Sequence, residues 1–176
     1  MDTPLCRHGI TQTTIDDYPA LLRVWEACIR PRHPRISQAE SAMYRELITS
    51  AFLPSNVVRA YRSPAGQVLG FVAVEGRRIG MLFVAPAYQG QGVGAQLCRH
   101  AQDVLGATGA DVHEDNEAAL AFFRRMGLEE AGTADIGRDG GRCVLVQFRV
   151  PSAPWTRPGW PELPASRAAV VAAHAV

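Results

Sequence analysis

The run Met81-Leu82-Phe83-Val84-Ala85-Pro86-Ala87-Tyr88-Gln89-Gly90-Gln91-Gly92-Val93-Gly94-Ala95-Gln96-Leu97 decides how this chain is read. An apolar segment runs into a proline, glycines follow at 90, 92 and 94, and apolar residues then recur at Val93, Leu97, Ala101, Val104 and Leu105. That order is a strand, a glycine-rich loop and a helix. Glycine leaves room for several backbone N–H groups to converge. The helix N-terminus adds partial positive charge. Together they make a cradle for a pyrophosphate. The P-loop version of such a cradle needs a Gly-Lys-Ser/Thr step. This chain has no lysine at all, since its 18 basic residues are all arginine. The dinucleotide pattern G-x-G-x-x-G is not met either, because the third glycine falls at 94 instead of 95.

Upstream of this run the pattern begins with a short strand from about Gly9 to Thr14. Tyr18, Leu21, Leu22, Trp25, Cys28 and Ile29 then share one helical face, with Asp16 and Asp17 at its positive end. Ser37-Gln38-Ala39-Glu40 is a capping box that opens a second helix to about Ala51, with Pro54 beyond it. Val57–Arg62, Val68–Glu75 and Ile79–Val84 read as a strand meander. Downstream come a short strand from Ala110 to Glu114 and a helix capped by Asn116, with Ala119, Phe122, Phe123 and Met126 on one face and Gly127 at its end. A turn at Asp139-Gly140-Gly141 leads to a last strand from Arg142 to Val150. The expected class is α/β, a mixed sheet flanked by about four helices. The organisation is one domain over 8–150 and a Pro-rich appendage over 151–176, with prolines at 151, 154, 158, 161 and 164.

The bulk composition excludes several classes. With 176 residues the chain suits one domain, and its net charge of +1 gives no general pull toward nucleic acid or a lipid surface. No apolar stretch approaches the ~20 residues of a membrane helix. Cys6, Cys28, Cys98 and Cys143 are too far apart in sequence for metal-site spacing, and the expectation is free thiols, no metal and a cytoplasmic location.

The residues Val84-x-Pro86-x-Tyr88-Gln89-Gly90-Gln91-Gly92-Val93-Gly94-x-x-Leu97 resemble motif A of the GNAT acetyltransferases, with core Q/R-x-x-G-x-G/A at Gln89, Gly92 and Gly94. Asn116 to Leu128 resembles that family's second signature, in the right order. The resemblance covers roughly residues 8–150. Trp25-x-x-Cys28, His33, the Ser37 helix and Phe52-Leu53-Pro54 are similar to one branch of small bacterial acetyltransferases. Where that branch often has Thr-His-Asp-Phe-Leu, this chain has Arg32-His33-Pro34-Arg35-Ile36, so the acceptor pocket is expected to differ.

The resemblance implies a sheet splayed in its middle and acetyl-CoA as co-substrate. It also implies transfer to a primary amine of a small molecule or peptide. Leu82, Phe83 and Val84 would pair by their backbone with the pantetheine arm. Gln89, Gly90, Gln91, Gly92, Val93 and Gly94 would take the pyrophosphate. Asn116 would reach the coenzyme near its thiol end, or simply cap its helix. Many relatives dimerise, and a homodimer stays open here. Phe123 stands where the family places its tyrosine general acid, against the coenzyme, and phenylalanine has no proton to give. His113 is the catalytic substitute the sequence offers, because imidazole exchanges protons near neutral pH. Glu75 and Glu114 are further base candidates, and His33 a substrate-binding one. Cys143 is read as a core thiol and not an acyl carrier. The alternative function is an acyl-CoA-binding module of weak activity.

Overall fold

The computed structural model describes residues 9–31, 37–135 and 143–151. His33, the turn at 139–141 and the Pro-rich stretch after Pro151 lie outside the described residues. Seven strands form one mixed sheet: β1 (Gly9–Gln12), β2 (Val57–Arg62), β3 (Val68–Glu75), β4 (Arg78–Val84), β5 (Gly109–His113), β6 (Glu129–Asp135) and β7 (Val144–Arg149). Their spatial order is β1-β2-β3-β4-β5-β7-β6. Only the β4–β5 contact is parallel, because its crossover is a helix; the other neighbours are antiparallel.

Alternation along the strands serves two cores. Val72, Leu82, Val84, Ala110 and Val112 pack with α4 (Val93–Asp103) and α5 (Glu117–Arg125) on one face. Phe71, Ala73, Met81 and Phe83 pack with α1 (Tyr18–Ile29) and α2 (Gln38–Leu47) on the other. β3 is buried along nearly its whole length, as a central strand covered on both faces must be.

The predicted capping box is present: Glu40 N–H donates to Ser37 Oγ, and Ser37 N–H donates to the Glu40 carboxylate at 2.9 Å. The helix it opens runs on past Ala51, through a π-turn (Ile48–Phe52) into α3 (Leu53–Ser55). Pro54 therefore sits inside this helical run and not beyond it. It is tolerated in the first turn after the π-turn, where the wider winding already interrupts the regular ladder. Two other expectations change. Val104 is 65% exposed, because α4 ends at Asp103 and the periodicity no longer applies there. β6 has no counterpart in the sequence reading. Its residues Glu-Glu-Ala-Gly-Thr-Ala-Asp are almost all exposed on an edge strand, so no apolar alternation marks it.

The sheet is parted in its middle, as expected. β4 and β5 pair at only two positions, Arg78↔Gly109 and Ile79↔Ala110. A bulge follows at once on β4: Ala73 faces Met81 and Val74 faces Ile79, so Gly80 is the extra residue. Phe52 covers it, and a Cβ at Gly80 would meet that ring at 3.0 Å. The root of the split is clamped by Arg78. Its guanidinium donates to Asp111 at 2.6 Å and to the Ala110 carbonyl at 2.8 Å. Gly109 is required beneath it, since a Cβ there would stand 2.4 Å from the Phe148 carbonyl and 2.6 Å from Arg78. Burial pushes the Asp111 carboxyl up, and the hydrogen bond and charge of Arg78 together with Gln147 pull against that.

Gly109→Ala is expected to lose about 1–3 kcal/mol, since neither the backbone oxygen nor the clamp can retreat; urea denaturation measures it. Asp111→Ala is expected to lose about 3–5 kcal/mol by stranding the Arg78 charge. The Arg78→Met, Asp111→Leu double variant should lose much less, and equal losses would mean that the pair is not a unit.

Candidate active site

The glycine loop is built as its residues require. Pro86–Tyr88 forms a 3-10 turn off β4. Gly90 and Gly92 then take φ of +74° and +85°, a region other residues resist. Gly92 is the N-cap of α4, and its carbonyl accepts the Gln96 N–H at 3.0 Å. The two glutamines hold the loop from within. Gln89 Nε2 donates to the Val84 carbonyl at 3.0 Å, and Gln91 Nε2 donates to the Ala87 carbonyl at 2.9 Å. Gly94 lies beside the Phe122 ring, where a Cβ would come to 3.5 Å.

This loop borders a cleft of about 300 Å³. Gln89, Gly90, Gly92, Gly94 and Ala95 form one wall with Val84; Phe122, Arg125 and Met126 of α5 form the other. The two motifs, far apart in sequence, thus face one space. Among the sequence candidates, Gln91 and Val93 belong to the loop without lining the cleft; Val93 is buried in the core below it.

Above the split, the edge of β4 toward β5 has no strand beside it among the described residues. Ala85 N–H bonds to the Leu69 carbonyl, and the alternation of an antiparallel ladder then turns the backbone groups of Phe83 toward β3. The Phe83 carbonyl indeed lies next to Gly70 of β3. Leu82 and Val84 therefore carry the backbone groups on the open edge, and Phe83 does not. The Val84 carbonyl is occupied by Gln89 and by the Cys28 thiol of α1 at 3.1 Å.

His113 ends β5, on the arm of the split opposite Leu82, and its side chain is 21% exposed. It lies outside the cleft. Its Nδ1 accepts the Asp115 N–H at 3.2 Å, with an Asp115 carboxylate oxygen 3.6 Å away. Accepting at Nδ1 puts the neutral ring's proton on Nε2, so the ring offers a donor there. Asn116 caps α5, its Oδ1 accepting the Ala119 N–H at 3.2 Å.

Phe123 needs correction as a coenzyme contact. It is 0% exposed, packed between Phe122 and Phe148 at ring separations of 5.2 and 5.8 Å. The neighbouring Phe122 lines the cleft instead. Helical periodicity marks both as inward-facing and does not separate them. Arg125 is also on the cleft, and the sequence does not mark it, because an arginine beside another arginine at a helix end looks like solvated charge. Glu75 lies at the wrong end of the sheet. It pairs with Arg78 at the start of β4, since β3 runs antiparallel to it. Glu114 is half-buried just past β5, its N–H on the Val144 carbonyl. Burial, then the charges of Asp135, Glu114 and Asp115, push the Cys143 thiol up, so it remains a thiol and a poor nucleophile. Cys98 is pushed up to about 12 by burial.

A family model described as an acetyltransferase (GNAT) domain matches residues 54–130. The peptidyl-lysine N-acetyltransferase YjaB of Salmonella typhimurium is 28% identical over 143 residues, 81% of this chain and 98% of its own. The solution structure of apo YjaB from Escherichia coli has a TM-score of 0.68 at 24% identity, covering 82% of this chain and 97% of that one. The PaiA N-acetyltransferase of Thermoplasma acidophilum, solved with coenzyme A, has a TM-score of 0.59 at 15% identity, over 80% and 97% of the two chains. The family match runs from Pro54 to Glu130 and so takes in the parted strands, the glycine loop and α5, while α1 and α2 lie outside it. Residues 54–130 thus match the GNAT acetyltransferase domain, and over 81% of its length the chain is similar to a bacterial N-acetyltransferase, YjaB, whose fold it shares.

Proposed function

We propose that this acetyltransferase moves the acetyl group of acetyl-CoA directly to a primary amine, through a tetrahedral intermediate. One observation carries the reading. The glycine loop and the open edge of β4 adjoin, so one extended ligand can place phosphates on the first and an amide-bearing arm along the second. The N–H groups at the start of α4 take the pyrophosphate. Leu82 and Val84 pair with the pantetheine arm as a missing strand would, and an N–H of that edge receives the oxygen that becomes negative in the intermediate.

The acceptor amine, with a pKa of ~10.4 if it is lysine-like, must lose a proton before it attacks. Glu114, Asp115 and Asp135 gather near Cys143 at the end of β5, and their field favours a cationic acceptor. Glu114 is the half-buried one of the three and takes the proton. As the C–S bond breaks, coenzyme A leaves as a thiolate; a cysteine-like thiol has a pKa of only ~8.5, so departure is feasible without an acid. His113 Nε2–H donates a hydrogen bond to the departing sulfur, and the thiolate takes its proton from water. Relatives that acetylate peptidyl-lysine, such as YjaB, support a lysine side chain on a peptide as the acceptor. The buried, protonless Phe123 favours a second reading, an acyl-CoA-binding module of low turnover.

Gly92→Val is expected to weaken coenzyme A binding at least about tenfold, because its φ is strained for a branched residue; calorimetry with matched circular dichroism spectra measures this. Coenzyme A release, followed by chromatography over lysine peptides and small amines, separates the two readings. Wild-type turnover that falls about 10²–10³-fold in His113→Ala supports histidine as the hydrogen-bond donor to the departing sulfur. A silent wild type alongside an active Phe123→Tyr would support the binding module instead.

A further inference from the structure

Arg124 and Arg125 are adjacent at the C-terminal end of α5, but their surroundings differ. Arg124 is bound to the carboxylate of Glu130. Arg125 has no ion pair or hydrogen bond among the described residues, and it is exposed on the cleft. The other wall of that cleft carries Gly90, Gly92 and Gly94 and the N-terminus of α4. Positive charge therefore stands on both sides of the same small space, with backbone N–H groups and a helix dipole on one and a guanidinium on the other. That arrangement is repulsive when the space is empty and attractive once an anion lies between them.

We infer that Arg125 is the side-chain ligand of the coenzyme's pyrophosphate, completing a cradle whose other donors are backbone N–H groups. This rests on the acetyl-CoA reading above. The pyrophosphate is chosen over the outlying 3′-phosphate because Arg125 shares its cleft with the glycine loop itself. The residue type fits the position. A guanidinium stays charged and can span two phosphate oxygens.

The test is calorimetric binding of coenzyme A, dephospho-coenzyme A and pantetheine to wild type, Arg125→Ala and Arg124→Ala. Arg125→Ala should bind the first two about tenfold more weakly, by equal factors, and pantetheine unchanged, with a shallower salt dependence. Arg124→Ala should match wild type. Unchanged coenzyme A binding in Arg125→Ala would overturn the inference. So would a loss shared by pantetheine, which marks a structural role, or a loss confined to coenzyme A, which marks the 3′-phosphate. If wild type itself fails to bind coenzyme A while remaining folded, the coenzyme reading falls first and the role of Arg125 with it.

Discussion

The structure depends on two strands that cannot stay together. β4 and β5 share two residue pairs and then separate at the Gly80 bulge. A parted sheet leaves backbone N–H and C=O groups in the middle of a protein with no strand to meet them, which is costly unless something else does. The Arg78–Asp111 clamp and the tight packing at Gly109 hold the strands together below that point. The helices then fill the space on either face. The opening is thus fixed at a defined depth, and on the β4 edge the Val84 carbonyl is met by Gln89 and Cys28.

The Val84 carbonyl shows how the parts are kept in register. It accepts from Gln89 of the glycine loop and from Cys28 of α1, so one oxygen ties that loop, the strand edge and the first helix. Cys28 and Trp25 belong to this arrangement as buried structural residues; Trp25 packs edge-on to Tyr44 of α2 at 6.5 Å. Movement of α1 would be felt at the loop.

The chemistry asked of such a site is modest. Acyl transfer to an amine needs positioning, an oxyanion donor and removal of one proton, and a thiolate is a tolerable leaving group. On the proposed reading, phenylalanine at position 123 removes one proton donor and not the reaction. The hydrogen bond that fixes His113 Nδ1 as an acceptor gives the ring a defined donor on its other nitrogen.

The sequence by itself determined the strand, loop and helix around Gly90, Gly92 and Gly94, the capped helices at Ser37 and Asn116, and the β2–β4 meander. Each of these rests on local chemistry: a positive φ, a cap, or an apolar period within one element. The tertiary structure alone decided the remainder. β6 carries no apolar signal, because an edge strand is fixed by its neighbour β7 and not by burial. Pro54 could remain helical only because a π-turn precedes it. Whether Phe122 or Phe123 faces the cleft depends on how α5 is rolled against β7, and the twin arginines are told apart only by where Glu130 lies. These are relations between elements, set by packing and ladder register, and no single stretch of the chain contains them.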